Sequence, residues 1–468
     1  MPDELHKLFP LASTSFERYM LADDRPSHPM AAFMEIEVRG RISAEVLMRA
    51  FTPAVDRHPL LRATIRHNRW RVPCWHLADS RPPDVAAWGV PLACPEGERL
   101  DLTAGTGMRT WIRHAPDRTR ITIQVHHACS DALGKLTFLA DWLKLAVQID
   151  TGDSTSPLPE PNWEAFRRRG QSPPVPRDVR RSARPPGILY DLYRFFYRPS
   201  VRLPGTGFDE AQDAVPLSGL YGVSVSDNVL QRIRHESRKE GVSVNDWLLA
   251  ALFLSMADWT QKHHHEPPHK RFRVTIPFNM RTDENLYGPA SNQIGYEILT
   301  HRPAAGADPM VLSREIARFT DAVRKLRNST FAKILRASKV YSRFFPLIAH
   351  NWEKCFATVI FSNLGDVSQL LTPLVPERNG RWTIGNLVVE RISCAPPTRP
   401  NTHLAMVVMR YGGRLHFTTR CEGRVLASRS IRGFLDHYRS TVLDLVGLEE
   451  ADTLPSLDIP ASTIADSA

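Results

Sequence analysis

Val125-His126-His127-Ala128-Cys129-Ser130-Asp131-Ala132-Leu133-Gly134 joins a strand pattern to a helix pattern. Upstream, Ile121, Ile123 and Val125 alternate with Thr122 and Gln124, the period of a half-buried strand. Downstream, Leu133, Leu136, Leu139, Leu143 and Ala146 mark one face of a helix that Asp131 is placed to cap. A strand-to-helix corner holds side chains rigidly and can present one to a cavity. With 18 His in 468 residues, chance alone gives roughly 0.7 adjacent pairs, and about 0.07 once an acid must follow four positions later. His has the side-chain pKa, about 6.5, that suits proton transfer near neutrality. A neighbouring helix N-terminus disfavours the imidazolium and keeps such a base neutral. His127 is therefore the candidate general base. His126 belongs to the candidate catalytic set and also fits a packed core position, and Asp131 fits both that set and a plain N-cap.

Mixed α/β patterns extend on both sides of this corner. Phe33–Val38 reads as a strand and Ala44–Val55 as a helix capped by Ser43, its end blurred by Pro53. From 151 to 215 the chain turns Pro-rich and basic, with Arg167–Arg169, Arg177, Arg180, Arg181 and Arg184, and Ile188–Tyr197 suggests a short helix within it. Strand patterns resume at Gly222–Ser226, Arg273–Pro277, Thr358–Phe361, Met406–Arg410 and Leu415–Thr419. Asp227–Glu240, Asn245–Trp259, Val311–Leu326 and Ser428–Leu445 read as helices. The expected division is a first lobe at 1–150, a connection at 151–215, a second lobe at 216–450 and a frayed tail at 451–468.

Composition is that of a globular chain, 42% hydrophobic and 24% charged, with a net charge of +10. Fifty of the 60 basic residues are Arg, which suits phosphate or carboxylate partners. They are dispersed or confined to the connection, and no nucleic-acid-binding motif accompanies them, so no nucleic-acid partner is expected. The six Cys lack a C-x-x-C pair, which fits a reducing, cytoplasmic setting without a zinc site. The longest apolar run, Trp247–Ala257, is too short to span a bilayer. Phe331–His350 mixes apolar and basic residues and is open to a lobe-packing helix or to peripheral membrane contact. His263, His264, His265 and His269 look like a metal cluster, but Glu266-Pro267-Pro268 beside them reads as a solvated loop.

The His-pair segment resembles the H-H-x-x-x-D-G motif of the superfamily that holds nonribosomal peptide condensation domains, wax ester synthases, BAHD acyltransferases and chloramphenicol acetyltransferase. Arg57-His58-Pro59-Leu60-Leu61-Arg62 is similar to the R-H-x-x-L-R stretch of condensation domains. Leu100-Asp101-Leu102 with Met108-Arg109 is similar to the segment before the motif strand. Gly241-Val242-Ser243-Val244-Asn245-Asp246 and Phe361-Ser362-Asn363-Leu364-Gly365 look like second-lobe landmarks. The resemblance runs roughly from Leu11 to Gly447.

That resemblance implies an α/β fold with mixed sheets, built as two chloramphenicol-acetyltransferase-like lobes around a central tunnel. It implies that the second His, here His127, deprotonates an alcohol or amine acceptor. The acceptor then attacks an acyl thioester on coenzyme A or on the phosphopantetheine of an acyl or peptidyl carrier protein. No tightly bound cofactor and no metal take part. The motif Asp, here Asp131, is structural and pairs with an Arg, for which Arg62 is the first choice and Arg281 the second. Ser362 and Asn363 are candidates to line the tunnel or to donate to the oxyanion, and a plain turn explains them as well. Ala132 replaces the motif Gly and forgoes its conformational freedom, leaving Gly134 to compensate. No D-F-G-W-G stretch occurs, unlike in BAHD enzymes. The competing reading is a condensation-like protein that binds an acyl or peptidyl carrier without turnover.

Overall fold

In the computed structural model, the alternating residues before His127 form a strand inside the first of two seven-stranded sheets. The structure describes residues 2–94, 97–153, 157–171, 200–205, 220–263, 271–283, 286–303, 307–326, 355–421, 426–449 and 453–454. Ile188–Tyr197, Phe331–His350, His264, His265, His269 and the Arg residues between 177 and 184 lie outside them.

The chain begins with α1 (Pro2–Leu8), β1 (Leu11–Ala12), α2 (Ser15–Asp23), β2 (Ala31–Arg39) and α3 (Ala44–Arg57). β3 (Ala63–His67), β4 (Pro73–Leu77), β5 (Asp84–Ala87), β6 (Met108–Ala115), β7 (Arg118–His126) and α4 (Ala132–Thr151) follow. After α5 (Trp163–Arg167) come β8 (Leu220–Ser226), α6 (Asp227–Lys239), α7 (Val244–Lys262), β9 (Phe272–Asn279), β10 (Ile294–His301) and α8 (Pro309–Leu326). The remainder is β11 (Ala357–Asp366), α9 (Val367–Leu370), β12 (Glu377–Arg378), β13 (Arg381–Ile384), β14 (Leu387–Ala395), β15 (Thr402–Tyr411), β16 (Arg414–Arg420), α10 (Ser428–Asp444) and β17 (Thr453–Leu454).

The first large sheet has the order β12-β13-β14-β2-β7-β6-β5, and the second β10-β9-β11-β15-β16-β8-β17. A three-stranded sheet, β1-β4-β3, sits beside the first. The sheets are mixed: β5 runs parallel to β6, and β11 runs parallel to both β9 and β15. The remaining neighbours in the two large sheets are antiparallel.

Sheet membership does not follow the expected division at residue 216. β12, β13 and β14 come from the second half of the chain, yet they complete the first sheet through β14 and β2. The physical reason lies in β2. Met34, Ile36 and Val38 are buried, and both backbone edges of the strand need partners; β7 satisfies one and β14 the other. The tail also differs from expectation, because Thr453 and Leu454 pair with Val225 and Ser224 at the edge of the second sheet.

Each sheet packs against helices. In the first half, α3 and α4 contribute Leu47, Phe51, Phe138 and Trp142 to one continuous core. Phe51 and Trp142 meet edge to face at 5.1 Å, a favoured aromatic geometry. α3 continues through Pro53 to Arg57, and Ser43 caps it by accepting from the Val46 amide at 3.2 Å. In the second half, the apolar run Trp247–Ala257 lies in α7, whose residues Trp247–Met256 are all buried. Among the described residues, no helix is long and apolar enough to cross a membrane.

The described part of the connection packs on the first half. Arg169 forms a buried ion pair with Glu17 at 2.7 Å, and Arg57 donates to the Pro159 carbonyl at 2.7 Å. Arg169 thus serves as a structural cation inside the first half.

A fragment ending at residue 215 lacks β12–β14 and leaves β2 with a bare edge. An unpaired inner strand is an aggregation template. The fragment is expected to lack a cooperative thermal transition and to associate, while co-expression with residues 216–468 restores a soluble complex. Size-exclusion chromatography with a thermal melt checks this.

Candidate active site

Strand alternation sends consecutive side chains to opposite faces, and it separates the two His at the end of β7. His126 pairs across from Ala31 and turns inward, fully buried. Its Nδ1 accepts from the Ala128 amide at 3.1 Å, and its Nε2 lies 3.8 Å from Asp24 Oδ2. His126 does not line the cavity, so its grouping with the catalytic residues is corrected to a core position. His127 faces the cavity. Its backbone N–H donates to Met30 O at 2.6 Å, and the Asn292 amide donates to its carbonyl at 2.7 Å. Nδ1 lies 3.2 Å from the Ser130 carbonyl, which can only accept. The Asn292 side-chain nitrogen is also 3.4 Å from Nδ1, but the Ser130 carbonyl is the nearer group and favours the tautomer with the proton on Nδ1 and the lone pair on Nε2. Burial, and secondarily the Lys135 ammonium, push the His127 pKa down from 6.5 to about 3, so the ring is neutral at pH 7.

Asp131 closes the corner. Its Oδ1 accepts from the Gly134 amide at 3.0 Å, the N-cap bond of α4. Arg281 grips the same carboxylate with both terminal nitrogens, at 2.7 and 3.0 Å, and the Gln293 amide adds a fourth bond at 2.9 Å. Burial alone raises a carboxyl pKa, but these donors outweigh it and hold Asp131 below its ordinary value. Arg281 and not Arg62 is the partner, which corrects the first choice made from sequence. Arg62 pairs with Asp56 at 3.1 Å and donates to Ala78 O at 3.1 Å, so its guanidinium is engaged on its own side of the first lobe.

The departure at Ala132 costs nothing in backbone geometry, because Ala132 is the first residue of the right-handed helix α4. Gly134 has no positive φ to contribute either. Its need is space: a Cβ there meets the Ser130 hydroxyl of its own corner first, and then Ala290 Cα and Ser291 N at 3.1 Å, where the second half presses on the corner.

The Arg57-His58 stretch locks the same contact from behind. Arg57 and His58 both reach the buried Asp141 carboxylate, at 2.8 and 3.2 Å. The other ring nitrogen of His58 accepts from the Ala290 amide at 2.8 Å. Burial lowers the His58 pKa, in keeping with this neutral acceptor role.

Between the halves lies a cavity of about 200 Å³, mostly apolar, with His127, Asp131 and Lys135 on one side and Ser362, Asn363 and Tyr296 on the other. Asn363 is partly engaged: its amide donates to Asn245 at 3.1 Å and its oxygen accepts from the Gly365 amide at 2.9 Å. Ser362 Oγ makes no hydrogen bond with any described residue. The second-half residue bonded to His127 is Asn292 rather than Ser362 or Asn363. A second cavity of about 450 Å³ shares Pro277, Phe278, Asn279, Asn363 and Leu364 with the first. His263 donates within its own helix end, 2.8 Å from Trp259 O. Among the described residues, no three His, Cys, Asp or Glu are placed to hold a metal ion.

Two site residues were missed in the sequence. Asn292 carries no local signal, since its role depends on the long-range approach of the 290s to the His-pair corner. Lys135 carries one: it is a lone cation among Ala132, Leu133, Gly134 and Leu136 in the first turn of a buried helix.

Solved structures match this architecture over nearly its whole length. The first condensation domain of the calcium-dependent antibiotic synthetase superposes with a TM-score of 0.65 at 13% identity, covering 95% of this chain and 99% of that one. The chain has a condensation-domain fold. SgcC5 from Streptomyces globisporus gives 0.63 at 16% identity, covering 94% of this chain and 98% of its own. Polyketide synthase associated protein 5 from Mycobacterium tuberculosis gives 0.59 at 15%, covering 93% and 98%. In sequence, the uncharacterized proteins Rv2305 and MT2362 of two Mycobacterium tuberculosis strains are each 24% identical over 92% of this chain and 99% of their own length. No protein-family model matches the chain.

Breaking the buried pair from one side should cost about 3–5 kcal/mol. Arg281→Met and Asp131→Ala are expected to melt well below the parent chain, and Arg62→Met close to it. A double-mutant cycle on 131 and 281 should show strong coupling. Gly134→Ala is expected to cost about 1–3 kcal/mol through overpacking, read by denaturant titration.

Proposed function

We propose that the chain is an acyltransferase of the condensation type. It moves an acyl group from a thioester on coenzyme A or a carrier protein to an alcohol or amine, with His127 as general base. The observation that carries this reading is the position of His127, on the wall of a cavity between the halves. Nδ1 faces the Ser130 backbone carbonyl, the arrangement that favours a free lone pair on Nε2 for a substrate in that cavity. The fold supports it, because its structural neighbours include condensation domains, one of them solved with a substrate analogue.

In this reading Nε2 accepts the acceptor's O–H or N–H proton as the nucleophile attacks the thioester carbonyl. The tetrahedral intermediate then collapses, the C–S bond breaks, and the imidazolium returns the proton to the departing thiolate. No acyl-enzyme forms. A depressed pKa makes the imidazolium a strong acid, which favours that return. While the intermediate lasts, its oxyanion supplies a counter-charge, and Ser362 Oγ is the uncommitted hydroxyl across the cavity. The mostly apolar lining disfavours water beside the thioester once substrate fills the cavity. Asp131, Arg281 and Asn292 act by positioning the corner and touch no reacting atom.

The test is a panel of acyl thioesters with alcohol and amine acceptors, with products read by mass spectrometry. His127→Ala is expected to lower turnover by about 10²–10⁴-fold at an unchanged melting temperature, whereas His126→Ala should act on stability. Full turnover in His127→Ala removes the base assignment. Thioester binding without consumption by the parent chain would assign it instead to carrier binding without turnover.

The lowered pKa also predicts a pH profile. Since His127 takes up its proton near pH 3 rather than 6.5, kcat/KM should hold level from pH 7 down to about pH 5. An acid limb centred near 6.5 would show an imidazole in a solvent-like setting.

A further inference from the structure

Lys135 stands on α4, one turn beyond Asp131, and is 3% exposed. It lines the same cavity as His127. Its ammonium makes no hydrogen bond or ion pair with any described residue. The carboxylate that acts on it electrostatically, Asp131, already accepts from Arg281, Gly134 and Gln293. The other cations of the wall are matched, Arg281 by Asp131 and Arg399 by Asp23. Cys394 and Cys129 nearby are neutral thiols, since burial raises both pKa values. The lining therefore holds one uncompensated positive charge in a mostly apolar surface.

Folding gives no reason for that charge. An unpaired buried ammonium destabilises a core, and the neighbouring positions of α4 are apolar. Burial draws the Lys135 pKa down from 10.5 to about 8, which still leaves it mostly protonated at pH 7.

We propose that Lys135 is a specificity-determining residue that pairs with a carboxylate on the substrate held beside His127. The proposal rests on the preceding reading of the cavity as a substrate site. A carboxylate fits better than a phosphate. One ammonium is a single point charge, whereas a phosphate dianion calls for several donors, and the nearby guanidinium and amide donors are already in use. The carboxylate belongs either to the far end of the acyl chain or to the acceptor.

Binding is measured by calorimetry on the His127→Ala protein, which separates recognition from turnover. One arm compares glutaryl-coenzyme A with pentanoyl-coenzyme A, and the other compares 6-hydroxyhexanoate with its methyl ester. The carboxylate member of one pair should bind about 10–100-fold tighter, and the arm that shows it identifies the source. Adding Lys135→Met should bring that ratio near one. Without ligand, Lys135→Met in the otherwise unaltered chain should melt no lower than the parent, since no partner is lost. Equal binding within both pairs overturns the proposal, as does a ratio that survives Lys135→Met or a marked fall in melting temperature. If the preference holds while His127→Ala still turns over substrate, the base assignment fails and Lys135 stands. If His127→Ala abolishes turnover and no preference appears, Lys135 alone fails.

Discussion

The site depends on one buried ion pair. Asp131 belongs to the corner that carries His127, Arg281 belongs to the other half of the chain, and four hydrogen bonds converge on the carboxylate between them. Two of those donors come from the Arg281 side chain and a third from the Gln293 backbone, so the pair is a joint rather than a local cap. The His58–Ala290 bond and the close approach at Gly134 press the same loop onto the same corner. Once that contact is set, the placement of His127 follows, because Asn292 holds its backbone carbonyl and the Ser130 carbonyl faces its Nδ1. Buried pairs of this kind add little net stability over an apolar replacement, yet removing one partner is strongly destabilising because the other charge is left buried and unpaired.

The wall opposite His127 is built differently. It is mainly apolar, with polar groups at few points, as ligand cavities usually are. The charged groups of the lining, Asp131, Lys135, Arg281 and Arg399, are set into a surface that is otherwise largely apolar. That setting explains why a cation without a partner matters at Lys135 and not at Arg399, whose guanidinium is matched by Asp23 and stacks on Tyr19 at 4.4 Å.

Local patterns in the sequence carried the corner, the Ser43 and Asp131 caps and the buried helix after Asn245, because each follows from periodicity within a dozen residues. The choice between Arg62 and Arg281 could not be read that way. Both are plausible donors in sequence, and only the approach of residues 280–293 to the corner selects one. The assignment of β14 to the first sheet was hidden for the same reason, since Leu387, Val389 and Ile392 give a strand pattern but not its neighbour. Ala132 shows the opposite case. A departure from the motif looked costly until the residue was found to be helical, where Ala is the most favourable choice.

The pairing of β14 with β2 bears on the order in which the protein is made. Arg39 and Glu390, which join across that seam, are 351 residues apart. At about 5–20 residues per second, roughly 20–70 s pass between synthesis of one strand and synthesis of its neighbour. Through that interval the first sheet is incomplete on the ribosome, with the β2 edge open to any other strand. Contacts of such long range close slowly. The nascent chain therefore has to be shielded while the last third of the sequence is still being added, which makes its yield in a cell sensitive to chaperone supply and to translation speed.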